Sequence, residues 1–199
     1  MRRAKEQLRE DVAQQRREWL EYIPYLDANK LRFLDESSVN LAMTRLYGRA
    51  PSSERVTEYL PDVRFNRISV IAVVGLDHDD FLPFVFKGTL NGNLFRQYIF
   101  ECVVPTIQEG EILFMDNLSA HKVDGISEAV ETRGANVVFL PPYSPDFSPI
   151  EYIWSPVKAD MRKRKARSSE SICDALTYSF AQVSEQDLLN TFNHCGLGL

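Results

Sequence analysis

Glu111-Ile112-Leu113-Phe114-Met115-Asp116-Asn117 decides how this chain folds. Its apolar run reads as a buried strand that delivers a carboxylate, Asp116, at its C-terminal tip. Working downstream, a helix is expected near residues 123–131 and is stopped by Gly134, and a strand follows at 136–140. That order is a strand–helix–strand crossover. Working upstream, Asn91-Gly92 opens a helix whose stripe is Leu94, Phe95, Tyr98, Ile99 and Cys102. Before it, apolar runs at 67–75 and 81–86 flank the polar turn Asp77-His78-Asp79-Asp80, the pattern of a hairpin. The first strand is read at 31–35, and another short strand with irregular flanks is expected within 41–61.

Helices close both ends. Residues 3–24 read as an amphipathic helix with Leu8, Val12, Trp19 and Ile23 on its apolar side. After Glu151, Trp154, Val157 and Met161 draw a helix onto the sheet, and two further helices follow from residue 168. The second of these opens on Ser184-Glu185-Gln186-Asp187, a capping-box pattern. The expected architecture is α/β: an antiparallel meander leading into the crossover, a mixed five-stranded sheet flanked by helices. An N-terminal linker helix (1–28) is expected to precede the α/β domain (29–199).

Composition narrows the function classes. The chain has 199 residues, 44% of them hydrophobic, which suits one well-cored domain. No apolar run approaches the roughly 18 residues of a membrane span, and no apolar segment follows the basic N-terminus as it would in a signal peptide. Cys102, Cys173 and Cys195 are widely spaced, which argues for a reducing compartment and against a disulfide framework or a zinc site. A cytoplasmic, nucleoid-associated protein is expected. Net charge is −5, awkward for a partner of DNA, but the average hides a basic run. Lys158, Arg162, Lys163, Arg164, Lys165 and Arg167 stand against the single acid Asp160. Such a run can meet phosphates, or it can simply be a solvated helix face. Lys158, Arg162 and Lys165 fall at i, i+4 and i+7 and are expected to share one face.

Three carboxylates carry the chemistry. Asp35 continues the strand face of Leu31 and Phe33, and Glu36 faces the other way. A charge in a core-facing row is costly unless something meets it, although a turn-capping role at a strand end is the plainer alternative. Asp116 lies at the carboxyl end of a strand, where α/β sheets gather ligands, with Asn117 and His121 nearby as supporting residues. Glu151 has a structural rival. Ser148-Pro149-Ile150-Glu151 has the form of a capping box in which Glu151 only returns a hydrogen bond to Ser148. Three hard-oxygen acids on three elements point to two Mg²⁺ or Mn²⁺ ions acting on a phosphodiester.

Several motifs carry a resemblance. Met115-Asp-Asn-Leu-Ser-Ala-His-Lys122, Phe139-Leu-Pro-Pro-Tyr-Ser-Pro-Asp146, Pro149-Ile-Glu151 and Trp154 closely resemble the catalytic domain of mariner-superfamily transposases, nearest its bacterial insertion-sequence branch. Leu34-Asp35-Glu36-Ser37-Ser38-Val39-Asn40 resembles that family's first-acid motif, and Phe86-Lys-Gly-Thr-Leu-Asn-Gly92 its strand-to-helix passage. The resemblance implies an RNase H-like fold, two catalytic metal ions, and Asp35, Asp116 and Glu151 as their ligands. It implies DNA partners, both transposon ends and target, and a homodimer when active. The family's N-terminal helix-turn-helix region is not recognised here, which leaves two readings open, a separately encoded helix-turn-helix half or a decayed copy. Two departures stand out. Ser148 replaces the usual Asn, and Pro156 falls inside the Glu151 helix, where a kink about one turn from Glu151 is expected. The alternatives to a transposase are a stand-alone RNase H-like nuclease and an inactive relic that binds DNA or a partner without cutting.

Overall fold

The structure is a computed structural model that describes residues 4–45, 47–59, 67–77, 81–118, 121 and 123–198. Five strands form one sheet in the order β3-β2-β1-β4-β5. They are β1 (Leu31–Asn40), β2 (Arg67–Val74), β3 (Phe84–Lys87), β4 (Ile112–Met115) and β5 (Asn136–Phe139). β1 pairs antiparallel with β2, and β2 antiparallel with β3, which is the meander. β4 runs parallel to both β1 and β5. The sheet is mixed, as the alternation of hairpin and crossover signals predicts.

Side-chain alternation on β1 sorts the helices into two layers. Leu31, Phe33 and Val39 face one apolar core, together with α1 (Glu10–Tyr22), α4 (Pro149–Arg164), α5 (Ser169–Phe180) and α6 (Glu185–His194). Leu34 faces the other core, beneath α2 (Gly92–Tyr98), its π-helical extension Ile99–Val103, and α3 (Ile126–Glu131). Rings lock the first layer: Phe33 stacks on Phe114 at 5.1 Å, and Trp19 of α1 meets Phe114 edge-on at 5.0 Å. At the end of the sheet away from Asp116, buried Arg32 pairs with Glu111 at 2.8 Å and ties the starts of β1 and β4 together. Among the described residues no helix is long and apolar enough to cross a membrane.

Local expectations differ from the structure at identifiable points. The N-terminal helix is shorter than its pattern. Lys5–Leu8 is a 3-10 turn, Arg9 is extended (ψ 137°), and Leu8 is therefore thrown out of the apolar row and lies 83% exposed. β1 runs on to Asn40, and no strand occurs among the described residues of 41–59. β3 begins at Phe84 instead of 81, since Pro83 has no N–H to give the ladder. Residues 78–80 of the expected hairpin turn lie outside the described residues. Pro156 does not end α4, which continues to Arg164. Trp154, Val157 and Met161 are buried on both sides of the proline, and that packing holds the helix through it. The Ser184–Asp187 capping box forms as read.

Candidate active site

The parallel register brings the first two acids together. Leu31 stands opposite Ile112 and Phe33 opposite Phe114, so the same offset carried two residues on sets Asp35 beside Asp116. Glu151 comes from the first turn of α4, which packs across β1. All three line one cavity of about 560 Å³, with Asn117 beside them. The capping alternative for Glu151 is not what forms. Ser148 is the N-cap of α4 but makes no side-chain cap hydrogen bond, and Glu151 lines the cavity instead.

Each aspartate is held from behind. The Trp154 indole N–H donates to Asp35 Oδ2 at 2.8 Å. Trp154 sits three residues after Glu151, so one helical turn supplies both an acid and the donor that orients another. Asp116 Oδ1 accepts from the Leu118 N–H at 3.1 Å and stands 2.6 Å from His121 Nδ1. Both contacts use Oδ1. His121 itself is 2% exposed and lies with its ring 4.7 Å from that of Phe95. Glu36, on the opposite face from Asp35, extends its charge to His121. His121 Nε2 and Glu36 Oε2 are both buried without a hydrogen-bond partner among the described residues.

The electrostatics reflect burial first and crowding of like charges second. Burial pushes the Asp35 carboxyl up to about 7, and the charge of Glu151 pushes the same way. The indole hydrogen bond opposes this, and Asp116 adds a smaller upward push. Glu151 is also raised, first by burial and then by Asp116, with Lys158 pulling against them. Glu151 is exposed by surface area, yet burial still leads because its carboxyl lines a cavity instead of a convex surface. For His121, burial favours the neutral ring, but the hydrogen bond and charge of Asp116 outweigh it and the imidazole is raised.

These residues suit hard divalent cations. Carboxylate oxygens are the donors Mg²⁺ and Mn²⁺ prefer, and no Lys or Arg among the described residues forms an ion pair with any of the three acids. The burial and repulsion that raise Asp35 are what a cation would offset. The three acids do not already close on one point. Among the described residues, no group of three His, Cys, Asp or Glu side chains stands ready around a single ion.

The basic run divides in two. Arg164 pairs with Asp160 at 2.6 Å and lies over the Tyr178 ring. Lys165 takes a left-handed conformation (φ 53°) that ends α4, and it pairs with Glu58 at 2.6 Å. It therefore leaves the row expected with Lys158 and Arg162. Arg167 donates to the carbonyls of Leu41 and Met43. Lys158, Arg162 and Lys163 form no ion pair among the described residues, and Lys158 lies near enough to Glu151 to act on its carboxyl.

This mixed five-stranded sheet with helices on both faces is the RNase H-like fold. The Mos1 transposase in its paired-end complex with the left transposon end superposes with a TM-score of 0.75 at 15% identity, covering 98% of this chain and 60% of that one. A Mos1 mariner paired-end complex with Mn gives 0.71 at 17% identity, covering 98% and 61%. The catalytic domain of Mos1 alone gives 0.63 at 14% identity, covering 98% and 91%. The chain thus spans about three-fifths of the Mos1 chains in those complexes. No curated protein matches it by sequence. A family model for the DDE superfamily endonuclease matches residues 30–173, and the chain belongs to that family.

Proposed function

We propose that this chain is the catalytic domain of a transposase that cuts DNA strands and joins them to a target. The observation that carries this reading is the convergence of Asp35, Asp116 and Glu151 on one cavity in a DDE-family chain. The three acids would hold two divalent cations, Mg²⁺ or Mn²⁺. Bound there, such ions supply Lewis-acid activation of an attacking oxygen and charge for the leaving one. Trp154 fixes the orientation of Asp35, and His121, backed by Glu36, fixes that of Asp116. Asn117, which lines the same cavity, would act as a supporting residue beside Asp116. No Ser or Tyr nucleophile is required. The persistence of α4 through Pro156 supports an active enzyme over an inert relic, since the helix that presents Glu151 is intact.

The substrates would be transposon ends and target DNA, held by a homodimer, with the ends recognised through a helix-turn-helix region. Within this chain, phosphate contacts would fall to Lys158, Arg162 and Lys163. Arg164, Lys165 and Arg167 already serve the fold, so they join only by giving up those contacts. Binding by this chain alone should be sequence-indifferent and weak, with Kd of about 10⁻⁴–10⁻⁶ M at physiological salt, and steeply salt-dependent. Neutralising Lys158, Arg162 and Lys163 together should flatten the slope of log K against log salt by about two to three. An unchanged slope in a filter-binding titration would place the DNA elsewhere. The function itself is tested with supercoiled plasmid. Mn²⁺ should produce nicked circles and EDTA should prevent them, and a purified, folded chain that never nicks would count against an enzyme.

A further inference from the structure

The catalytic cavity has two walls of opposite chemistry. One carries the three acids and Asn117; the other is the uncharged segment of Leu140, Pro141, Pro142, Tyr143 and Pro145, interrupted only by the hydroxyls of Ser144 and Ser148. Phosphate belongs with the acids and their cations. The second wall has no charge to offer a phosphate, so it suits the apolar part of a nucleotide.

Tyr143 is the aromatic residue of that wall and is held in an unusual way. Its φ is 55°, in the left-handed region, where a bulky side chain persists only if its surroundings hold it there. Glycine would adopt this φ without strain; here the position carries a phenol ring, 48% exposed. The holding contacts come from the N-terminal segment. Gln7 Nε2 donates to the Tyr143 carbonyl at 2.6 Å. Arg16 donates to Ser144 Oγ at 2.6 Å and to both oxygens of Asp146 at 3.0 and 2.7 Å. Its guanidinium also lies 4.2 Å from the centre of the Phe147 ring, on which Trp19 stacks from α1. Ser144 Oγ in turn donates to the Pro142 carbonyl at 3.0 Å. Strain at one residue is thus matched by fixed contacts on both sides of it.

We propose that Tyr143 is a stacking platform for the nucleobase adjacent to the phosphate that the acids engage, and that Gln7 and Arg16 hold the platform in place. The proposal rests on the phosphoryl-transfer reading of the cavity. An aromatic face accepts any base, so the platform positions a nucleotide without selecting sequence. The N-terminal segment then has a role at the active site as well as in the core.

The test compares two fluorescein-labelled single-stranded oligonucleotides of equal length and charge, one of mixed sequence and one abasic, by anisotropy at fixed salt without divalent metal. The chain should bind the base-bearing strand about 5- to 150-fold more tightly, the range set by one stacked base. Tyr143→Phe should keep that preference, and Tyr143→Ala and Tyr143→Gly should lose it. Tyr143→Gly should melt no lower than the parent, because it relieves the left-handed strain, so its loss of preference cannot be unfolding. Arg16→Ala should weaken the preference by freeing the loop. Equal binding of both strands by the parent, binding of neither, or an undiminished preference in Tyr143→Ala would overturn the proposal. Mn²⁺-dependent plasmid nicking separates this from the catalytic reading. A base preference without nicking rejects the enzyme and keeps the platform, whereas nicking without a base preference rejects the platform alone.

Discussion

Asp116→Asn should abolish Mn²⁺-dependent nicking while leaving the fold intact. The substitution keeps the shape of the side chain, and its amide oxygen can still accept from the Leu118 N–H, as Oδ1 of Asp116 does now. What it removes is the charge, in a cavity where a second carboxylate from β1 and a third from α4 are already close. Loss of residues that merely support a metal ligand costs about 10–100-fold in affinity or activity, so loss of a ligand should cost at least about 100-fold. Circular dichroism and melting temperature should change little, because Asp116 follows the end of β4 and pairs with His121, not with the apolar core. Nicking by Asp116→Asn at the parental rate would remove this residue from the mechanism. Glu151→Gln should behave in the same way, and it discriminates sharply, because the helix-capping role once available to Glu151 is not the one it plays.

Asp35→Asn should make the metal-free protein more stable at pH 8. Asp35 is raised to about 7 in the folded chain from an ordinary value of 3.8. A carboxyl raised on folding favours the folded state fully below its unfolded value, and that contribution is lost as pH climbs through the folded value. The relevant window is therefore from about pH 4 to about pH 7. Above it the fold carries a desolvated charge beside Glu151. At 1.36 kcal/mol per unit, a shift of about three units corresponds to about 4 kcal/mol as an upper bound. Coupling to Glu151 and Asp116 reduces it, so a gain of about 1–3 kcal/mol is expected at pH 8 and none near pH 4. The asparagine oxygen can still accept from Trp154, so the indole contact is kept. Saturating Mn²⁺ should stabilise the parent at pH 8 and stabilise Asp35→Asn much less. Urea melts across this pH range read all of these outcomes, and a variant no more stable than the parent at pH 8 would mean that Asp35 bears no such burden.

The parts of this account legible in the sequence are those set by short-range patterns. Period-two burial on β1 put Asp35 in the row of Leu31 and Phe33, and an apolar run put Asp116 at a strand tip. Once β1 and β4 pair in parallel with Phe33 opposite Phe114, the two acids are neighbours. The order of hairpin and crossover signals was enough to give a mixed sheet with helices on both faces. What escaped was set by contacts between distant segments. Trp154 read as a core residue because nothing local says that its N–H reaches a carboxylate 119 positions away. Glu36 read only as facing away from Asp35, although that direction is where His121 lies. The basic run looked uniform because charge is all that a sequence displays. Only Glu58 and the carbonyls of Leu41 and Met43 show which cations are engaged. The strained Tyr143 carries no sequence signal beyond the prolines around it, and the contacts that hold it come from residues 7 and 16.

The central claim, that Asp35, Asp116 and Glu151 together hold the cations of a DNA-cutting site, is tested most directly by anomalous diffraction from crystals of this chain soaked in Mn²⁺. The account predicts anomalous density between the three carboxylates, and its disappearance in Asp116→Asn. Ordered Mn²⁺ bound elsewhere with this cavity empty, or density that survives Asp116→Asn unchanged, would contradict it.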